Sequence, residues 1–261
     1  MESVIMPFGP VNSNPLPIVD SLWRRLQFAL LPPHCLLCGA RGDASRDLCS
    51  ACAADLATNH TVCARCALPL AIHAAQCGEC LRSEPSFDAA FAPYIYAHPL
   101  DLLLTKLKFG RSLAAGRVLA ELWIGALRSA LARGVVSALP DAIIPLPLHT
   151  TRLRERGYNQ ALELAKPLAR EFGIALAPDL LRRTRATAAQ SNLDAVARRK
   201  NLRGAFDVDV VMLAASAPTH VVLLDDVMTT GTTVREAART LKRAGVSRVD
   251  VWALARAPHR H

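Results

Sequence analysis

The chain has 261 residues, half of them hydrophobic, enough for one well-packed domain plus a small module. A net charge of +9 favours polyanionic partners, either nucleic acid or a substrate carrying pyrophosphate. No apolar run approaches the roughly 20 residues that span a bilayer, and the start lacks the basic, apolar and small-residue blocks of a secretory signal. The expectation is therefore a cytoplasmic protein without membrane insertion.

Residues 1–31 read as a tail and an amphipathic helix. The first 17 are rich in Pro and Asn, and Ile18 to Leu31 carry helical periodicity, with Asp20 or Ser21 as cap and Pro32-Pro33 as stop. Only two basic residues, Arg24 and Arg25, line this helix, which favours packing on the body over a membrane surface.

Residues 32–84 hold all eight cysteines, as four CxxC pairs: Cys35/Cys38, Cys49/Cys52, Cys63/Cys66 and Cys77/Cys80. Each interval between pairs is ten residues, so the segment repeats itself. A CxxC turn offers two thiolates to one tetrahedral ion, and two turns complete a four-thiolate site, so eight cysteines provide for two Zn²⁺. Disulfides and redox-active dithiols are the alternatives. The absence of a signal disfavours the first, and the absence of a strand–CxxC–helix unit disfavours the second. Pairing in sequence order closes the shortest loops, although a cross-braced order stays open. His34, His60 and His73 lie nearby, but the thiolates fill both coordination spheres. With few large apolar side chains, this segment depends on metal for its stability.

Residues 85–261 then alternate strand and helix. Phe87 to Tyr96 reads as an edge strand or hairpin, followed by helices over Leu100–Lys108 and Ser112–Leu131. Ala142 to Leu148 is a strand that exits through prolines. Arg152, Arg154 and Arg156 follow it, before a helix from Asn159 to Phe172 that Gly173 ends. A second basic cluster contains Arg182, Arg183, Arg185, Arg198, Arg199, Lys200 and Arg203. Guanidinium groups at a strand-to-helix junction suit an anion, since they pair bidentately with phosphate; a solvated basic face is the plainer reading.

The most informative run is VVLLDDVMTTGTTV, from Val221 to Val234. Val221 to Leu224 form a strand buried on both faces, and Asp225 and Asp226 fall where it leaves the sheet. Thr229, Thr230, Gly231, Thr232 and Thr233 open the helix that runs on to Ala244, a setting that binds phosphate through free N–H groups and the helix dipole. The carboxylates suit sugar hydroxyls, with Mg²⁺ nearby. An Asp-capped turn without function explains one aspartate but not the pair. A further strand at Val249–Ala255 completes an α/β fold with a mostly parallel sheet flanked by helices.

The run resembles the phosphoribosyl pyrophosphate (PRPP) motif of type I phosphoribosyltransferases. The whole order resembles the ComF family, in which a CxxC-rich double zinc ribbon precedes such a domain. Lys108-Phe109, PLPLHTTRLRERGYNQ and the spaced pattern Arg183, Thr187, Gln190, Leu193, Arg198, Asn201, Gly204 and Phe206 carry the resemblance further. It implies that Asp225 and Asp226 hold the ribose and act in catalysis, that Thr229–Thr233 take the 5′-phosphate, and that Val227 and Met228 complete the PRPP-binding run. The strand-exit loop around Pro147 to Arg156 would face pyrophosphate, with Arg154, Arg156, Arg183 and Arg198 beside it and Mg²⁺, and residues 183–206 would cover the site. The implied reaction moves a phosphoribosyl group to an acceptor that no residue identifies, in a family linked to DNA uptake by competent bacteria. A PRPP- or nucleotide-sensing module, and an accessory protein binding single-stranded DNA or DNA-uptake proteins, are the alternatives.

Overall fold

The computed structural model describes residues 32–43, 46–185 and 204–259. The expected tail and helix of residues 1–31 lie outside the described residues, as do Arg198 and its neighbours up to Arg203.

Each half of the cysteine segment ends in a short helix that starts directly behind a cysteine. These are α1 (Ser50–Ala54) after Cys49 and α2 (Gly78–Arg82) after Cys77. The stretch expected as an edge strand or hairpin is an edge without a hairpin. β1 (Ala90–Phe91) and β2 (Tyr94–Ile95) both run parallel to β8 (Arg248–Arg256), one beyond the other. Pro93 separates them, having no N–H for a ladder.

α3 (Leu100–Lys108) buries Leu100, Leu103, Leu104 and Leu107, the spacing of one helical face. α4 (Leu113–Ala132) is capped by Ser112, whose hydroxyl accepts from Ala115 N at 3.2 Å. β3 (Ala142–Pro145) is followed by α5 (Thr150–Arg156), where a loop was expected. α6 (Gln160–Phe172) has Asn159 as its cap and ends at Gly173, whose φ of 65° is the left-handed C-cap. Then come β4 (Ala175–Leu176), the antiparallel pair β5 (Leu181–Arg183) and β6 (Phe206–Val208), and α7 (Val210–Ser216). β7 (His220–Met228) and α8 (Thr232–Arg243) precede β8.

The main sheet has the order β1-β8-β7-β3-β4, with β2 also on β8, and every pairing is parallel. Val221 to Leu224 in β7 are fully buried, each adding roughly 1.5–3 kcal/mol. Val221 and Leu223 join α8 in the core on one face; Val222 and Leu224 join α3, α4 and α6 on the other. The cysteine segment belongs to both cores. Cys63, Cys66, Cys77 and Cys80 lie in the α8-side core, whereas Cys35 is buried on the opposite side with Cys49 and Cys52 packed against it. One cysteine quartet therefore supports each face of the sheet.

Candidate functional site

β3 and β7 end at different heights. The last residue of β3, Pro145, pairs with Leu224, whereas β7 continues to Met228 along β8. The acidic pair therefore lies within the strand, not at its exit as expected, because Asp225 still pairs with Ala253 through the backbone. Beyond Pro145 one edge of β7 is open, which creates the crevice typical of ligand sites in open α/β sheets. The inside–outside alternation also slips here: Leu224 and Val227 pack on the same core, three residues apart. Asp226 N donates to Asp225 Oδ1 and Val227 N to Asp226 Oδ1, each at 2.9 Å, so the carboxylates take up backbone donors locally.

A cavity of about 240 Å³ opens over this edge. Asp225 and Asp226 line it together with Thr229 to Val234. Arg152, Arg156 and Arg183 line it too, as do Lys108 and Tyr96. Burial first, and the adjacent Asp226 second, push the Asp225 carboxyl up to about 8. Lys108 Nζ lies 2.6 Å from Asp226 Oδ2 and partly offsets this crowding.

The Thr/Gly turn starts a helix from a glycine. Gly231 stands at the N-cap with φ 70° and has no side chain to cap α8, while Thr232 N donates to Thr230 Oγ1 at 3.5 Å. Thr230 Oγ1 and Thr232 Oγ1 are 2.9 Å apart, so two hydroxyls converge beside the first N–H groups of α8. Such an arrangement is an anion cradle.

The basic wall owes its composition to α5. On a helix, Arg152 and Arg156 are four residues apart and share a face, and both line the cavity. Arg154, expected on the pyrophosphate side, is exposed and off the cavity wall because it points to the other face. Arg156 Nη1 donates to Gln160 Oε1 at 2.9 Å, and its guanidinium stacks over Phe109 at 5.6 Å. Arg183 stacks on Phe206 at 5.7 Å; burial, then the nearby charge of Arg152, lowers its pKa. Arginines and an anion cradle line the same cavity, a combination chemically suited to a polyanion. Asp225, Asp226, Val227, Met228, Thr229, Thr230, Gly231, Thr232, Thr233, Arg156 and Arg183 are thus gathered at one cavity. Lys108 and Arg152 were missed. Lys108 stood in the family pattern without a role, and Arg152 was masked by the reading of α5 as a loop.

The thiols form two further centres. The Sγ atoms of Cys35, Cys38, Cys49 and Cys52 lie within 4.8 Å of one another, as do those of Cys63, Cys66, Cys77 and Cys80. The pairing is sequential, not cross-braced. Cys38 and Cys49 are 3.8 Å apart and Cys66 and Cys77 3.7 Å, close to the roughly 3.8 Å sulfur separation of tetrahedral Zn²⁺ with 2.3 Å bonds. Four adjacent sulfurs cannot all ionise without a cation. Burial, then Cys66, pushes the Cys80 thiol up; hydrogen bonding to Cys38, then Cys49, raises Cys52. The two four-cysteine clusters fit two structural zinc ions.

Sheet, cavity and quartets together define a phosphoribosyltransferase domain joined to a double zinc ribbon. Residues 26–81 match the double zinc ribbon domain family, and residues 159–261 match the phosphoribosyl transferase domain family. Competence protein F of Haemophilus influenzae is 39% identical over 68% of this chain and 76% of its own. DNA utilization protein YhgH of Salmonella typhi is 36% identical over 87% of this chain and 98% of its own. The chain belongs to this competence protein F (ComF) family. A shorter match, 45% identical over 24% of this chain and 22% of the other, is to ribose-phosphate pyrophosphokinase 1 of Archaeoglobus fulgidus. No helix among the described residues is long and apolar enough to cross a membrane.

Proposed function

We propose that the cavity binds PRPP with Mg²⁺ and transfers its phosphoribosyl group to an acceptor nucleophile. The observation that carries this is the juxtaposition of an acidic pair, a helix start with glycine at its N-cap and three arginines around one cavity. Asp225 and Asp226 hold the ribose hydroxyls. The Thr229–Thr233 turn takes the 5′-phosphate through α8 N–H groups. Arg152, Arg156 and Arg183 balance the pyrophosphate, and Mg²⁺ arrives with the substrate as an additional counter-charge.

In the reaction the acceptor attacks ribose C1 and gives up its proton, while the C1–oxygen bond breaks and pyrophosphate leaves with the bonding electrons. Positive charge grows on the ribose ring, next to the acidic pair, and favours ionisation of Asp225 there. The contribution of the pair is positioning and electrostatic stabilisation, not covalent attack.

The names of the relatives, competence and DNA utilization, support a role in DNA uptake, in the cytoplasm where reduced thiols hold zinc. Incubation with PRPP, Mg²⁺ and a panel of bases and single-stranded DNA, followed by pyrophosphate release, tests the reading. Release that Asp225→Ala abolishes is the expected result. Tight PRPP binding without release with any acceptor would point to a sensor instead.

A further inference from the structure

Arg256 ends β8 and is 3% exposed. Its Nε donates to the Cys66 carbonyl at 3.2 Å. Its Nη1 donates to the carbonyls of Met228 and Ala257, each at 3.0 Å, and of Thr229. One guanidinium thus joins a ligand residue of the second quartet to the two residues that lead into the phosphate turn. Side links act in the same direction: Arg235 of α8 donates to the Ser83 carbonyl at 2.8 Å, and His259 lies 3.1 Å from Glu79.

The geometry makes this link depend on metal. Four carbonyls hold the buried Arg256 guanidinium, and one of them belongs to a ligand of the second quartet. Zn²⁺ would fix the CxxC knuckle of Cys63 and Cys66, which has little apolar packing of its own to replace that restraint. Loss of zinc therefore loosens the Cys66 carbonyl and removes the anchor of Arg256 on the ribbon side. The first quartet belongs to the core on the opposite face.

We propose that Arg256 is a positioning residue that couples the second zinc site to the phosphate turn, so that PRPP is held tightly only when that quartet is filled. The proposal rests on the turn being the 5′-phosphate site. Full-length wild type, Arg256→Lys and Cys80→Ser are titrated with PRPP and Mg²⁺ by calorimetry, with zinc content and amide hydrogen exchange measured alongside. Arg256→Lys is expected to keep both zinc ions and to bind PRPP about tenfold more weakly, since one ammonium cannot span carbonyls on two segments. Cys80→Ser is expected to lose one zinc ion and weaken binding at least as much. Both variants should exchange faster over residues 228–233 while the start of β7 stays protected. Wild-type affinity in Arg256→Lys would overturn the coupling. Where that variant fails to fold, unchanged exchange at 228–233 in Cys80→Ser would overturn it instead. Wild type that binds no PRPP would overturn the reading of the turn, a distinct result.

Discussion

Lys108 at the end of α3 and Asp226 in β7 meet at 2.6 Å at the cavity. The contact ties the helical layer to the open edge of the sheet. Both side chains are largely buried, so deleting Lys108 leaves Asp226 without its ion-pair partner. Lys108→Met is expected to cost about 1–3 kcal/mol in chemical denaturation, and adding Asp226→Asn should restore part of it. Additive losses in the double mutant would show that the pair is not coupled.

Asp225 sets the pH response of the fold. Its folded pKa is pushed up to about 8, against an ordinary value near 4. Its contribution is therefore fully present below about pH 4 and is lost as pH rises through 8. Asp225→Asn should match wild type near pH 4 and be more stable, by up to a few kcal/mol, at pH 8–9. Denaturation midpoints across this range check the sign. The same variant should bind PRPP poorly, a trade of function against stability.

Gly231 tests the turn. Its φ of 70° suits glycine, and a Cβ there would meet nothing closer than 3.7 Å. Gly231→Ala therefore costs conformation, not space, at about 1–2 kcal/mol. PRPP binding should fall by up to about tenfold, while the unfolding temperature of the unliganded protein falls by only about 2–8 °C. A large fall in that temperature would indicate a structural role instead.

The zinc sites make a stoichiometric prediction. Native mass spectrometry should find two zinc ions per chain, and chelation should unfold the cysteine segment, since its knuckles rest on the metal. A protein that keeps its ribbon fold after complete zinc removal would contradict this.

Much of the arrangement was legible in the sequence because the signals were local. The unbroken aliphatic run Val221–Leu224 marked the central strand, and Ser112, Asn159 and Gly173 marked helix ends. Short loops favoured the sequential cysteine pairing that the sulfur positions show. What escaped required geometry. α5 was hidden because a seven-residue segment of Thr, Arg and Glu with a single Leu has too few apolar positions to display a period. That error placed Arg154 at the site and omitted Arg152. The Lys108–Asp226 pair joins distant parts of the chain, and no local pattern reports it. The allocation of one quartet to each face likewise emerges only from packing.

The proposed binding of PRPP at Asp225 and Asp226 is open to calorimetric titration of PRPP with Mg²⁺ into wild type and Asp226→Ala. One site per chain is expected, with affinity falling about ten- to hundredfold in the variant. Equal binding by the two proteins, or no binding by wild type, would contradict it.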